Sequence, residues 1–262
     1  MIDDYFNYFE NISVTLLNKE ENNNVAVIVE PRKHKYLIGV IKNMMTSLKG
    51  WNLHIFGSDN NEEYIKENIN GNYKFTNLQI LDLNQTSYSL LLQNLCFWEQ
   101  IKEENIIIFQ VDSFINNNNY SIPLDYGFIG AIYQYGYQEN NKLIELLSPV
   151  NASYNMNGGF SFRLRTVMIQ CIKNVSINDI IQYRIKNNYN IYNFLNKYIL
   201  PEDVFFCNAI SLLKYPIPSE EICNNFCSQQ NKNYNSFGVH GFDKDYCNFN
   251  EKDIKSYFSL KK

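Results

Sequence analysis

Residues 105–115 read NIIIFQVDSFI, and this stretch decides the fold. Four bulky apolar residues in succession, Ile106, Ile107, Ile108 and Phe109, give way abruptly to Gln110, Val111, Asp112 and Ser113. An unbroken apolar run this short predicts a strand covered on both faces, as at the centre of a parallel sheet. The polar residues then fall at its carboxyl end, which is where open α/β sheets bind their ligands. Asp112 is therefore the first candidate functional residue.

Upstream, residues 25–29 (VAVIV) predict a second buried strand, ending at Glu30, Pro31 and Arg32. Leu37, Val40, Ile41, Met44 and Leu48 then recur at the spacing of one helix face, and Gly50 stops that helix. Residues 51–56 (WNLHIF) predict a third strand, completing a βαβ unit. A short helix over 62–68 and a strand over 78–83 extend the pattern. Thr86 or Ser87 would cap a longer helix with Tyr88, Leu91, Leu92, Leu95 and Trp98 on one face. This alternation argues for a doubly wound, mostly parallel sheet flanked by helices.

Beyond Asp112 the regularity fails. A strand is expected over 128–133 and a polar loop over 134–141, followed by a glycine turn leading into a strand within 155–163. Helices are expected over 164–172, 177–185 and 190–200. No Pro/Gly/Ser-rich linker interrupts the chain, so a single domain over 23–248 is expected, with an amino-terminal extension (1–22) and a carboxyl-terminal tail (249–262). The extension reads as a helix packed on the outside.

Composition narrows the function classes. The 262 residues are 45% hydrophobic and 15% aromatic, ample for a core. A net charge of −4 offers nucleic acid or an anionic membrane surface no general attraction. Any phosphate must be held by a local device. The six cysteines are spread out, and Cys223 with Cys227 lacks the second close pair of a zinc site. No apolar run approaches the about 20 residues of a membrane span, and the start, MIDDYFNYFENIS, has no signal-peptide pattern. The expectation is a cytoplasmic protein with free thiols.

Three later stretches place polar residues where core packing does not require them. Asn157, Gly158 and Gly159 precede Phe160, Ser161, Phe162 and Arg163. Adjacent glycines suit either a tight turn or a backbone that approaches a ligand closely. Pro201, Glu202 and Asp203 form a strong helix start, since proline suits the first turn and carboxylates favour the positive end of the dipole. Those acids either stabilise the helix alone or face a cleft and take a proton from a hydroxyl. His240 lies between two glycines within 237–242 (FGVHGF), as a turn histidine or, with Asp112, as a second ligand for a divalent ion. Arg32 and Arg163 suit phosphate or acceptor contact, or simply the surface.

Taken in order, VEPRKH, GWNLHIF, FWEQI, IIIFQVDSF, NGGFSFRLR, PEDVFF and FGVHGF resemble a family of predicted glycosyltransferases of the GT-A fold, from about Val25 to about Phe242. The resemblance implies a nucleoside-diphosphate sugar donor, an acceptor hydroxyl on a glycan, protein or small molecule, and a Mn²⁺ or Mg²⁺ cofactor. The QVDS segment, Gln110 to Ser113, takes the place of the Asp-x-Asp motif, with Gln110 where the wider motif has its first acid. His240 is similar to the late histidine that completes the metal site. Glu202 and Asp203 match an acid pair whose Asp is the base in inverting members. Asn157, Gly158 and Gly159 resemble the loop lining the donor sugar, with Glu30, Arg32 and Arg163 completing the donor side.

Two other readings share these residues. A sugar nucleotidyltransferase normally carries a glycine-rich phosphate loop after its first strand, where this chain has EPRKHK. A non-catalytic nucleotide- or carbohydrate-binding module would be favoured by loss of the acids, yet Asp112, Glu202, Asp203 and His240 are all present.

Overall fold

The computed structural model describes residues 2–133, 154–186, 199–229, 231–242 and 252. In chain order the first half contains α1 (Ile2–Glu10), β1 (Thr15–Leu17), β2 (Asn24–Val29), α2 (Leu37–Ser47), β3 (Asn52–Gly57) and α3 (Asp59–Asn68). It continues with β4 (Asn70–Asn72), β5 (Lys74–Asn77), α4 (Gln85–Leu92), α5 (Leu95–Glu99), β6 (Asn105–Phe109) and β7 (Ser113–Ile115). The second half contributes β8 (Phe128–Tyr133), β9 (Asn155–Leu164), α6 (Arg165–Asn174), α7 (Ile177–Lys186), α8 (Glu202–Leu212), α9 (Glu220–Phe226), β10 (Cys227–Ser228) and β11 (Gly238–His240).

The architecture is α/β and built on one sheet, as the alternation of strands and helices predicts. Its strand order is β5-β3-β2-β6-β9-β8. The first four run parallel, β9 is antiparallel to β6, and β8 is antiparallel to β9. The apolar run 106–109 is central as expected, for every residue of β6 is buried. Ile28 of β2 pairs with Phe109 of β6, so Glu30 and Gln110 emerge together at the carboxyl edge of the sheet. A smaller sheet, β10-β11-β7, stands beyond that edge and pairs His240 with Ser113. The amino-terminal helix α1 packs on α2, with Phe6 buried against Tyr36 and Phe242. Among the described residues, no helix is long and apolar enough to cross a membrane, and the cysteines form no disulfide.

Four local expectations need correction. Residues 78–83 are not a strand: the edge strand is the more polar β5, and Gln79 takes φ 56° just after it, which turns the chain and leaves Leu81 exposed. The single helix expected to carry Tyr88 through Trp98 is two helices. Asn84 caps the first and Asn94 the second, each accepting a backbone N–H, because a short amide competes well for free N–H groups at a helix start. Asn157–Gly159 is no turn but part of the continuous strand β9, with a register irregularity opposite β8. His240 likewise ends a strand, and the turn begins at Gly241, φ +71°. The expected elements over 134–141 and 190–200 lie, wholly or almost wholly, outside the described residues.

Candidate active site

A cleft of about 540 Å³ opens at the carboxyl ends of β2 and β6. Into it the fold brings Glu30 and Arg32 from beyond β2, Gln110 and Asp112 from beyond β6, Asn157 to Gly159 from β9, Glu202 and Asp203 from the start of α8, and His240 from β11. Two of the expected residues do not line it. Ser113 is buried and closes the turn at 110–113, donating from Oγ to the Gln110 carbonyl at 2.6 Å. Arg163 is fully buried behind the wall.

Arg163 belongs to the scaffold rather than to a ligand. Its Nη1 and Nη2 donate to Glu202 Oε2 and Oε1 at 2.7 and 3.0 Å, and its Nε donates to Ser161 Oγ at 2.9 Å. The guanidinium lies over the rings of Phe128 and Phe206, 4.7 and 5.4 Å from their centroids. Planar charge over aromatic faces and a bidentate carboxylate is what makes a buried arginine tolerable. The expected contact of Arg163 with phosphate or acceptor is thereby replaced by an internal one.

On the opposite wall Glu30 is gripped by Arg32, which donates to it from backbone N, Nε and Nη2 at 2.7–2.9 Å. Asn61 Nδ2 donates to the Glu30 and Arg32 carbonyls, and Ser58 Oγ to that of Pro31, so the turn after β2 is pinned in place. Arg32 remains half-exposed toward the cleft. Two of the four cleft carboxylates, Glu30 and Glu202, are thus matched by guanidinium groups.

Asp203 differs. Burial, reinforced by the neighbouring Glu202 charge, raises its carboxyl to about 7 against the pull of Arg163 and of backbone N–H groups. A carboxyl poised there is in range to exchange a proton at neutral pH.

At the cleft floor, His240 Nε2 lies 3.4 Å from Asp112 Oδ1 and 3.3 Å from Gln110 Oε1. The Asp112 carbonyl in turn accepts from Gly241 N at 2.8 Å, tying the two segments together. Oxygens bound at roughly 2.1 Å to one Mg²⁺ stand roughly 3 Å apart, so this spacing suits adjacent ligands on a cation. Among the described residues no group of three His, Cys, Asp or Glu side chains forms a metal cage. The donor set, one carboxylate oxygen, one amide oxygen and one imidazole nitrogen, would fit only a divalent cation that completes its coordination with ligands from outside the protein.

The two glycines of β9 now have a reason. Neither has positive φ. A Cβ on Gly158 would collide with the Glu202 carboxylate, and one on Gly159 with the His240 imidazole while lying 2.7 Å from Gln110 Oε1. They are glycine because two walls of the cleft close on the strand.

Three residues of the site have no warning in the sequence pattern. Tyr88, which lies on the apolar face of α4, lines the cleft with its hydroxyl buried beside Gln110. Ser89 lines it too, and its Oγ accepts from Glu202 N at 3.3 Å. Gln229 sits behind His240, with Oε1 3.3 Å from Nδ1. Helical spacing hid Tyr88 and Ser89, and Gln229 stands in a polar run where nothing marks it.

No curated protein matches the chain. Among solved structures, the apo form of the glycosyltransferase GlyE from Streptococcus pneumoniae TIGR4 matches with 9% identity and a TM-score of 0.44. That match covers 91% of this chain, which spans 64% of the GlyE chain. A family model matches residues 72–240, and the chain belongs to the family described as Protein of unknown function (DUF5672).

Proposed function

We propose that the protein is a glycosyltransferase that moves a sugar from a nucleoside-diphosphate donor to a hydroxyl acceptor, with a divalent cation at Asp112, His240 and Gln110. The observation that carries this reading is the meeting of Gln110, Asp112 and His240 in the same cleft as the poised carboxyl of Asp203. The ordered motifs from VEPRKH to FGVHGF, with their resemblance to GT-A enzymes, supply the substrate class.

A diphosphate leaving group gains negative charge as the glycosidic bond breaks. Mg²⁺ or Mn²⁺, when bound, would neutralise that charge as a Lewis acid. Asp112 would supply the carboxylate that holds it, His240 a ring nitrogen and Gln110 an amide oxygen. Arg32 is placed to contact phosphate on the same side. The missing side chains at Gly158 and Gly159 let the donor sugar approach the β9 backbone. Asp203 takes the proton of the acceptor hydroxyl as that oxygen attacks the anomeric carbon, which inverts the configuration. Its carboxylate form, present above about pH 7, is the competent one.

Incubation with a panel of sugar nucleotides and Mn²⁺ or Mg²⁺, followed by detection of released nucleoside diphosphate and glycosylated product, tests the reading. Slow donor hydrolysis or transfer supports it. Binding without turnover across the panel would point to a non-catalytic module.

A further inference from the structure

Among the described residues that line the cleft, Arg32 carries the only guanidinium. Its edges are not equivalent. Nε and Nη2 donate to Glu30 Oε1 and Oε2 at 2.7 and 2.8 Å, and the Arg32 backbone N adds a third bond to Oε1 at 2.9 Å. Among the described residues Nη1 has no partner. A second carboxylate stands nearby, with Asp82 Oδ1 3.6 Å from Nε. The two acids differ in burial: the Glu30 side chain is 6% exposed and that of Asp82 69%. A guanidinium grips an oxyanion in its own plane, one edge at a time. With one edge taken by Glu30, the edge that includes Nη1 is the one left for a ligand.

We propose that Arg32 is an anion contact whose two carboxylate neighbours have opposite roles: Glu30 is a positioning residue that aims the guanidinium, and Asp82 is a place-holder that a ligand phosphate displaces. That the anion is a diphosphate rests on the glycosyltransferase reading above; the opposite roles do not.

Surroundings separate the two acids. Glu30 belongs to a rigid wall, because Asn61 and Ser58 pin the carbonyls of Glu30, Pro31 and Arg32. Taking Arg32 away from it would leave a buried carboxylate unpaired, which is strongly unfavourable. Asp82 belongs to the loop between β5 and α4, and its Oδ1 also accepts from Leu83 N at 2.8 Å. Leu83, Asn84 and Gln85 line the cleft, which puts Asp82 at its rim. An exposed ion pair shifts an equilibrium by at most about fivefold, so an incoming phosphate displaces Asp82 at little cost.

The test follows binding of inorganic pyrophosphate to the full-length protein in metal-free buffer, where Arg32 acts without a cation. Asp82→Asn and Glu30→Gln remove the same charge, so a general field effect would tighten binding in both. Opposite roles predict opposite signs. Asp82→Asn should tighten pyrophosphate binding about two- to fivefold. Glu30→Gln, whose amide turns a donor toward the guanidinium, should weaken it about tenfold, and Arg32→Met should remove it with or without Asp82→Asn. Equal tightening in the two variants would overturn the proposal, as would an Asp82→Asn that binds like wild type.

A measurement on the wild type covers a Glu30→Gln that fails to fold. The chain has four arginines, so the Arg32 Nε–H signal is assigned by its loss in Arg32→Lys. Glu30 should protect that proton from exchange with water, and the protection should persist when pyrophosphate binds. Loss of protection on binding would show that the ligand takes the Glu30 edge, which ends the positioning role. If pyrophosphate binds as expected but no nucleoside diphosphate or sugar nucleotide does, the Arg32 site stands and the glycosyltransferase reading falls. If pyrophosphate binds no form, the Arg32 site falls, and turnover of a sugar nucleotide would still uphold that reading.

Discussion

Arg163 and Glu202, 39 residues apart in the chain, form a two-pronged ion pair with the guanidinium fully buried, joining β9 to the start of α8 through bonds of 2.7 and 3.0 Å. The pair fixes the helix that carries Asp203. Removing one partner strands the other charge inside the protein, which typically costs about 3–5 kcal/mol, whereas replacing both with apolar groups is far milder. Arg163→Met should therefore lower unfolding stability in urea by about that amount, and Arg163→Met combined with Glu202→Leu should recover most of it. Arg163→Lys should not rescue, since an ammonium cannot reproduce the fork. A single Arg163→Met that unfolds at the wild-type midpoint would show that the pair contributes nothing.

Asp203 links pH to both activity and stability. Its carboxyl lies above its unfolded value, at about 7, mainly because of burial and next because of the Glu202 charge. Transfer that uses the carboxylate as base should rise with pH through about 7, and Asp203→Asn should keep donor affinity while losing transfer. For stability the sign is opposite. The folded state holds the proton more tightly than the unfolded chain, so the contribution is most favourable below the unfolded value and is lost as pH rises through about 7. Asp203→Asn, which cannot ionise, should be more stable than wild type at pH 8 and similar to it at pH 4. Near-normal transfer by this variant would move the base role elsewhere, with Glu202 the next candidate.

Gly159 tests how tightly the floor of the site is built. Because its φ is ordinary, alanine there meets no backbone penalty, only the His240 ring and Gln110 Oε1. Overpacking of this kind costs about 1–3 kcal/mol. Gly159→Ala should accordingly lower the melting temperature and weaken Mn²⁺-dependent binding of nucleoside diphosphate, by displacing His240. Gly158→Ala presses instead on the Glu202 carboxylate and on Arg163 Nη2, 2.5 Å away, and should disturb the α8 start more than cation binding. Equal effects of the two substitutions on Mn²⁺ binding would contradict this division.

The sheet was legible because strands buried on both faces leave unbroken apolar runs, as in 25–29 and 106–109. Edge elements were not, because pairing there depends on neighbours. Residues 78–83 carry more apolar side chains than Lys74–Asn77, yet the latter pairs with β3. Asp112, Asp203 and His240 were visible as polar residues at the ends of apolar segments. Arg163 was visible too, but alternation along a strand does not say that both faces are covered, so its burial against Phe128 and Phe206 could not be foreseen. The glycine pair was read as a tight turn or as a close approach to a ligand, whereas it lies in strand β9 with the Glu202 and His240 side chains packed against it. Gln229 and Tyr88 depend on tertiary contacts that leave no local pattern.

The proposed cation site would draw one formal negative charge from the protein, that of Asp112, since Gln110 would contribute an amide oxygen and His240 a ring nitrogen. A site so lightly charged should hold Mn²⁺ weakly by itself and more tightly when a nucleoside diphosphate adds its oxygens. Calorimetric titration should show that synergy in the wild type. Asp112→Ala and His240→Ala should each reduce it. Gln110→Glu adds a second carboxylate at nearly unchanged shape, and because charge count tunes affinity for hard cations, it should tighten Mn²⁺ binding in the absence of nucleotide by about tenfold. Wild-type titrations with no synergy, together with an inert Gln110→Glu, would remove the cation from the mechanism and leave Arg32 as the phosphate contact of the cleft.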